Sequence, residues 1–457
     1  MKKILLTLSI IVSSLAFADG GEQNEDFAFV RKIYDEALVN GQAYENLRSL
    51  CKDIGARITG SAEAKMAIRW GKKLLDSYGF DEVYLEEIEV PHWERGTTES
   101  AWIENEDGEV YKLHILALGG SVGTGGLLEG EVVMVSSMEE LKEAGSEKLK
   151  DKIVFLNRAF DQKLIHTFQA YGACVAQRHV GPLEAGRFGA KAVVIRSLSS
   201  STDDHPHTGS TKYTVDVDSI PGAAISTIDS DILEEWLSKG KVTLKLEMDC
   251  RHFENEISHN VIAEMKGNKD NQIITFGGHL DSWDVGEGAH DDGAGIVHCI
   301  EALRILKSLN YKPNHTLRCV LFMNEENGNF GGKNYAKWCN DREEKHIAAI
   351  ESDRGGFLPI GFDIWGTDDQ VKDIQDWAAV MKEFELYKFN PGYSGVDIRP
   401  LKEFYPDMIQ LGMTINSQRY FDYHHSEMDV FETVNKRELH LGAAAMASMI
   451  YLLDKNL

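Results

Sequence analysis

From Cys250 to the C-terminus, short apolar runs alternate with longer amphipathic ones, and this alternation narrows the fold more than any other feature of the chain. Strands are expected at residues 257–266, 272–277, 316–323, 346–352 and 408–411, and helices at 293–309, 332–340, 370–384 and 436–453. Strands that take turns with helices of this length imply a mostly parallel or mixed sheet covered on both faces. Such sheets bind ligands beyond the carboxyl ends of their strands, so the charged residues at those ends are the ones to follow.

Those ends hold the acidic and histidine residues. The run Ile273-Ile274-Thr275-Phe276 leads into Gly277-Gly278-His279-Leu280-Asp281. The next loop closes with His290-Asp291-Asp292-Gly293 just ahead of a helix. The following strand ends in Asn324-Glu325-Glu326, the one after it in Asp353, and near the C-terminus stands Tyr423-His424-His425-Ser426. Singly, each has an ordinary explanation: Asp before a helix suits an N-cap, and a Glu pair in a loop is usually solvated. Together they deliver carboxylates and imidazoles from an apolar, β-rich context in which uncompensated charge is costly. Two neutral imidazoles and three carboxylates suit zinc, which takes nitrogen and oxygen ligands. Five protein ligands exceed the needs of one four-coordinate ion, and a carboxylate shared between two metals resolves the excess.

The rest of the chain sets the frame. Lys2 and Lys3, an apolar run over residues 4–15 and Ala16-Phe17-Ala18 form an export signal with a small-x-small cleavage pattern, so residues 1–18 are expected to be removed and the mature protein to be periplasmic or secreted. No later stretch approaches ~18 uninterrupted apolar residues, which gives no stable membrane association. With 48 Lys and Arg against 73 Asp and Glu, the formal charge is −25. That balance excludes nucleic acid as a partner and disfavours an anionic membrane surface. The six cysteines include no CxxC pair, which rules out a cysteine zinc site. An acidic stretch at 19–26 is expected to fray, followed by a helix over 27–54 and a second from Ser61, whose Met66, Trp70 and Leu74 share one face; residues 83–90 alternate as a strand. Between residues 120 and 246 the texture changes to glycine-rich turns and short apolar runs, which reads as a small β-rich module inserted between a 19–119 segment and a 247–457 catalytic segment.

The sequence resembles the co-catalytic zinc aminopeptidases, and most closely their plasma glutamate carboxypeptidase (carboxypeptidase Q) branch. The likeness covers nearly all of the mature chain and rests on Arg57-Ile58-Thr59-Gly60-Ser61, Gly278-His279-Leu280-Asp281-Ser282-Trp283-Asp284, Asp291-Asp292-Gly293, Asn324-Glu325-Glu326, Glu351-Ser352-Asp353, Gly395-Val396-Asp397-Ile398-Arg399-Pro400-Leu401 and Tyr423-His424-His425-Ser426. It implies an α/β zinc-peptidase sandwich, a central mixed β-sheet flanked by helices, with residues 120–246 as a protease-associated domain. It also implies two zinc ions per chain. Asp291 would bridge them, His279 and Asp353 would complete one, and Glu326 and His425 the other. Glu325 would be the general base toward a metal-activated water, and Asp281 would orient the His279 imidazole. Asp429 would support the His425 loop. His290 stands where the family usually has a small or apolar residue and is expected to turn to solvent.

The implied activity is exopeptidase hydrolysis of dipeptides or of the N-terminal residue of short peptides. Arg399 is one candidate receptor for a substrate carboxylate, and a structural ion pair is its other reading. Two further classes share this fold: a single-zinc glutaminyl cyclase-like transferase, and a non-catalytic binding protein that has lost its ligands. The filled ligand set argues against both. The branch also suggests a homodimer, for which the residues themselves offer no support.

Overall fold

The structure is a computed structural model that describes residues 20–457, with side chains from Glu25 onward; the expected signal, residues 1–18, lies outside the described residues. Among the described residues, no helix is long and apolar enough to cross a membrane. The chain forms a mixed α/β structure around two eight-stranded sheets.

The first sheet is built from β1 (Glu82–Glu94), β2 (Arg251–Met265), β3 (Gln272–His279), β4 (Thr316–Phe322), β5 (Lys345–Glu351), β6 (Pro359–Trp365), β7 (Lys388–Pro391) and β8 (Ile409–Ile415), in the order β1-β2-β4-β3-β5-β8-β6-β7. β4, β3, β5 and β8 run parallel, while β1, β2 and β6 join antiparallel. The period-two rule divides the side chains cleanly. Leu317, Cys319 and Leu321 of β4 enter the larger core, and Val320 and Phe322 enter the core on the opposite face. Every residue of β4 is buried, as a sheet covered on both sides requires.

The larger core is closed by α1 (Gly20–Asn40), α2 (Ala43–Asp53), α3 (Ala62–Tyr78), α4 (Ala294–Ser308) and α7 (Lys436–Asn456). α5 (Phe330–Asp341) covers the other face through Tyr335, Ala336 and Cys339, while Val371 and Ile374 of α6 (Asp368–Trp377) join the larger core. Ser61 caps α3, its side chain accepting from the Ala64 N–H, and Gly79 ends it in the left-handed conformation.

Several expectations change. The single helix over 27–54 is two, because α1 stops at Asn40 and Gly41 packs directly on His440, leaving no room for a side chain there. Of the acidic stretch expected to fray, residues 20–26 belong to α1, and Asp26 is anchored by Tyr451 and Lys455. The helix over 370–384 is α-helical only to Trp377 and continues as a tighter 3₁₀ turn to Phe384. β6 and β7 were not expected: Pro359 and Gly361 break the apolar run that would announce the first, and the second spans only four residues.

The second sheet takes in Val110–Leu113, Glu99–Asn105, Val242–Met248, Leu128–Val135, Ile153–Leu156, Ala192–Arg196, Gly222–Ile225 and Ile115–Ala117, in that order. It therefore begins at Glu99 rather than near residue 120, because Glu99–Asn105 pairs along its whole length with Val242–Met248. Helices Met138–Leu149 and Thr227–Lys239 also belong to it, which makes the unit mixed α/β. All six cysteines are free and buried.

Candidate metal centre

Three parallel strands bring their ends to one level. His279, the last residue of β3, pairs in register with Phe322 at the end of β4, and Gly277 pairs with Glu351 at the end of β5. Gly278 is glycine because a Cβ there would strike the Asp292 carboxylate and the Ser352 carbonyl. The loop before α4 is tied down from outside: the Asp429 carboxylate accepts the His290 N–H at 2.7 Å and the Asp291 N–H at 3.0 Å. Asp292 accepts the N–H of His279 at 3.1 Å and of Gly295 at 3.1 Å, so both its oxygens are engaged. His425 sits at φ 61°, a region few non-glycine residues occupy. The second sheet's unit holds it there, with the Thr208 N–H donating to the His425 carbonyl at 2.9 Å and His207 Nδ1 meeting the His424 carbonyl at 2.6 Å.

At the centre stands Asp291, with one imidazole on each oxygen. His279 Nε2 lies 3.2 Å from Oδ1, and His425 Nε2 lies 3.1 Å from Oδ2. Each imidazole meets a second carboxylate: His279 Nε2 is 3.4 Å from Asp353, and His425 Nε2 is 3.2 Å from Glu326. Two triads of nitrogen and oxygen atoms thus share Asp291. His424 stacks on His425 with ring centres 3.5 Å apart but stays 3.5 Å from Asp291, and it has no contact with Glu326 to match that of its neighbour.

Charge shows what such a cluster needs. Burial works to neutralise His279, yet hydrogen bonds with Asp291 and Asp353 hold it well above the usual histidine range. His425 is likewise pushed up to about 9 against burial, chiefly by Glu326. Three carboxyls of the cluster rise as well. Burial, reinforced by Asp291, raises Glu326 to about 7; burial and then Asp353 raise Glu351 to about 8. Glu325 is pushed well above its usual value by burial, with Asp353 and Glu326 adding to it. Protons collect here because the carboxylates outnumber the positive charges, and bound cations would take their place. Asp291 Oδ2 and Glu326 Oε1 are buried with no hydrogen-bond partner, as acceptors awaiting a ligand would be. Nitrogen and oxygen donors in this mixture suit zinc.

A model of peptidase family M28 matches residues 260–450. The chain is 32% identical to carboxypeptidase Q of Mus musculus over 453 residues, which covers 96% of this chain and 92% of the relative. A crystal structure of a peptidase M28 precursor from Shewanella amazonensis superposes with a TM-score of 0.90 at 31% identity, covering 95% of this chain and 98% of that one. The chain belongs to peptidase family M28. It is a hydrolase of the metallo-exopeptidase kind. BSAP, a zinc aminopeptidase from Bacillus subtilis, shares the fold at 20% identity with a TM-score of 0.63, covering 90% of this chain and 93% of that one.

In this M28 peptidase the structure brings His279, Asp291, Glu326, Asp353 and His425 together, with Glu325 lining the same cleft of about 290 Å³. Asp281 acts differently from the expectation. Its carboxylate is 3.9 Å from His279 Nδ1, too far for a hydrogen bond, and the ring is met instead by the Asp281 backbone carbonyl at 3.0 Å. The carboxylate gathers the next turn, accepting the N–H groups of Asn324 at 2.6 Å, Glu325 at 3.2 Å and Glu326 at 3.3 Å, and the Thr59 hydroxyl at 3.2 Å. Asp429 braces the Asp291 loop. His290 is not turned to solvent: it is buried and stacked on Phe357 at 4.3 Å, and burial drives its pKa down to about 3, so it stays neutral. Arg399 is exposed and does not line the cleft.

Three contributors escaped the sequence reading. Asp292 and Glu351 lie inside motifs that were legible, but their role is to accept backbone N–H groups, which leaves no spacing signature. Glu351 takes those of Val396, Asp397 and Ile398 at 2.7, 2.9 and 2.9 Å. Arg178 arrives from the second sheet's unit, and no pattern around it points to the cleft.

Proposed function

We propose that this M28 peptidase is an exported two-zinc enzyme that hydrolyses dipeptides or releases the N-terminal residue of short peptides. The observation that carries the reading is the symmetry about Asp291: one imidazole on each carboxylate oxygen, at 3.2 and 3.1 Å, each backed by its own second carboxylate. His279 and Asp353 would hold one ion, Glu326 and His425 the other, and Asp291 would bridge them. The names carboxypeptidase Q and zinc aminopeptidase carried by relatives are in keeping with an exopeptidase that uses zinc. The unit built on the second sheet takes the part of a protease-associated domain, supplying Thr208 and His207 to hold the His424-His425 pair.

Zinc, when bound, would acidify a water and polarise the scissile carbonyl. The rest falls to the chain. Glu325 Oε takes a proton from the attacking water and returns it to the leaving amine nitrogen. Its position depends on Asp281, which accepts its N–H. Asp291 and its partners would hold the ions beyond the ends of β3 and β4, where they would face the substrate carbonyl, and the second sheet's unit closes the cleft from the other side.

Paired variants test the division of roles. Glu325→Gln keeps every proposed ligand, so it should bind zinc as the wild type does and lose about 10²–10⁴-fold in kcat. Glu326→Gln should lose zinc together with activity. Equal loss of zinc from both variants would overturn the assignment of Glu325 as base.

A further inference from the structure

Outside the catalytic cleft, two groups of side chains among the described residues bring three metal-ligating atoms within 4.8 Å of one another. One of them, Cys339, Glu344 and His346, already has its cation, because Arg318 Nη1 lies 2.6 Å from Glu344. The other is His114, Asp204 and Asp229, in the unit built on the second sheet. His114 Nδ1 lies 2.9 Å from Asp204 Oδ1 and 3.5 Å from Asp229 Oδ2. Ligands held ~2.0–2.2 Å from a tetrahedral zinc stand roughly 3.3–3.6 Å apart, so these atoms need little movement to close on an ion. The His279 and His425 triads of the cleft, at 3.1 to 3.4 Å, have the same spacing.

The three side chains come from separate segments, and neighbouring groups fix the two carboxylates. Asp229 stands in the first turn of the helix Thr227–Lys239 and is fully buried; its Oδ1 accepts the Tyr111 hydroxyl at 3.0 Å, and its Oδ2 accepts the His114 N–H. Asp204 Oδ1 accepts the Ser226 hydroxyl at 3.2 Å. The His114 and Asp204 side chains are about half exposed, which leaves a fourth position open to water. Two carboxylates thus share one imidazole, and among the described residues no Lys or Arg forms an ion pair with either. Burial raises the pKa of Asp229 above the usual carboxylate range, the mark of a buried anion short of positive charge.

We infer that His114, Asp204 and Asp229 bind a further divalent ion of the zinc class, separate from the catalytic cluster, which fastens the loop of residues 203–208 to the second sheet. One imidazole nitrogen with two carboxylate oxygens selects zinc and its transition-metal neighbours over magnesium and calcium, which favour oxygen ligands alone. The loop it would fasten carries His207 and Thr208, whose contacts hold the His424-His425 turn. Asp203 already ties the start of that loop to the helix Thr227–Lys239, its N–H donating to the Thr227 hydroxyl at 3.0 Å and its carbonyl accepting the Ile228 N–H at 3.2 Å. An ion at Asp204 would add the edge of the second sheet to that anchorage through His114, which lies between Val110–Leu113 and Ile115–Ala117.

The test titrates metal-free protein with zinc alone, using wild type, His114→Ala, Asp204→Asn and Tyr111→Phe, and follows bound zinc per chain, peptide hydrolysis and Tm. The wild type should take up one ion more than His114→Ala or Asp204→Asn, in a weaker step that comes after hydrolysis has saturated and that raises Tm. Both of these variants should lose that step and its Tm rise while keeping hydrolysis. Tyr111→Phe keeps all three ligands but frees Asp229 Oδ1 from its hydrogen bond, and should weaken the step on the order of 10-fold. Magnesium in place of zinc should give no such step. Equal zinc uptake by the wild type, His114→Ala and Asp204→Asn would overturn the inference. So would a loss of zinc in those two variants that takes hydrolysis with it, because the ion lost would then be a catalytic one. The result is read as a difference between wild type and variants, so it stands apart from the number of ions the cleft itself holds.

Discussion

Replacing Asp281 by Asn changes two atoms' chemistry and keeps the side chain's shape, so its consequences can be worked out bond by bond. The carboxylate accepts four hydrogen bonds: Asn324 and Glu325 N–H on Oδ1, and Glu326 N–H and the Thr59 hydroxyl on Oδ2. In the better amide orientation the oxygen keeps the Asn324 and Glu325 donors. The new NH₂ then faces the Glu326 N–H, donor against donor, while the Thr59 hydroxyl rotates to accept. One buried N–H loses its partner, at about 1–3 kcal/mol, and two charge-assisted bonds become neutral ones, at about 1 kcal/mol each. The backbone of Glu326 is the one released. Zinc affinity should therefore fall about 10–100-fold at the His425–Glu326 position. The His279–Asp353 position should keep its affinity, because His279 Nδ1 rests on the Asp281 backbone carbonyl, which the substitution leaves in place. Zinc titration of the apoprotein by calorimetry would resolve the two steps, and the His279 ring signals in NMR spectra report its orientation. An unchanged second step, or a loss confined to the His279 position, would refute the reasoning and restore the carboxylate as the group that orients the ring.

Two further substitutions test the packing that supports the cleft. Glu86 is buried on β1 with Oε1 unpartnered and Oε2 accepting from Asn260 at 2.9 Å, and burial raises its pKa to about 7. The folded state thus favours the protonated form, so the wild type is at its best below the unfolded value near ~4.3 and loses stability as pH rises from there through about 7. Glu86→Gln does not titrate and should exceed the wild type by about 2–4 kcal/mol at pH 8 and by little at pH 4; urea unfolding at the two pH values checks this, and a gap that is equal at both would contradict it. Arg57 is fully buried and donates to the carbonyls of Leu280, Glu287 and Gly288 at 2.6, 2.7 and 2.9 Å, tying the loop after β3 to the α2–α3 connection. Arg57→Met should cost about 3–5 kcal/mol in unfolding free energy, and a cost under ~1 kcal/mol would show that the loop does not depend on it.

The catalytic sheet was legible because its signal is local. β3, β4 and β5 are apolar runs closed by charged residues, and parallel pairing makes those three ends neighbours whatever the loops between them do. That rule pointed to His279, the Glu325-Glu326 pair and Asp353, while singling out Glu326 from its neighbour and Asp291 from the loop ahead of α4 needed the resemblance. Choosing His425 over His424 needed the resemblance, and the 3.2 Å contact with Glu326 agrees with the choice. What stayed hidden depends on contacts between distant segments. Arg178 reaches the cleft, and Thr208 the His425 backbone, only because the second sheet's unit folds against the His424-His425 turn, and sequence spacing carries no trace of that. The role of Asp281 was hidden for a related reason: the motif shows a carboxylate two residues past a histidine, but not which of its oxygens the following strand's turn will claim. His290 was misplaced because a loop histidine before an acidic pair looks solvated until Phe357 is seen against its ring.

The central claim is that two ions share Asp291, and stripping the mature protein of metal and titrating zinc back while following peptide hydrolysis tests it most directly. The account predicts that hydrolysis of an apolar dipeptide vanishes on chelation, returns with zinc, and saturates at about two ions per chain. Saturation at one ion per chain with full activity would contradict it, leaving either the His279–Asp353 or the His425–Glu326 pair without the role assigned to it.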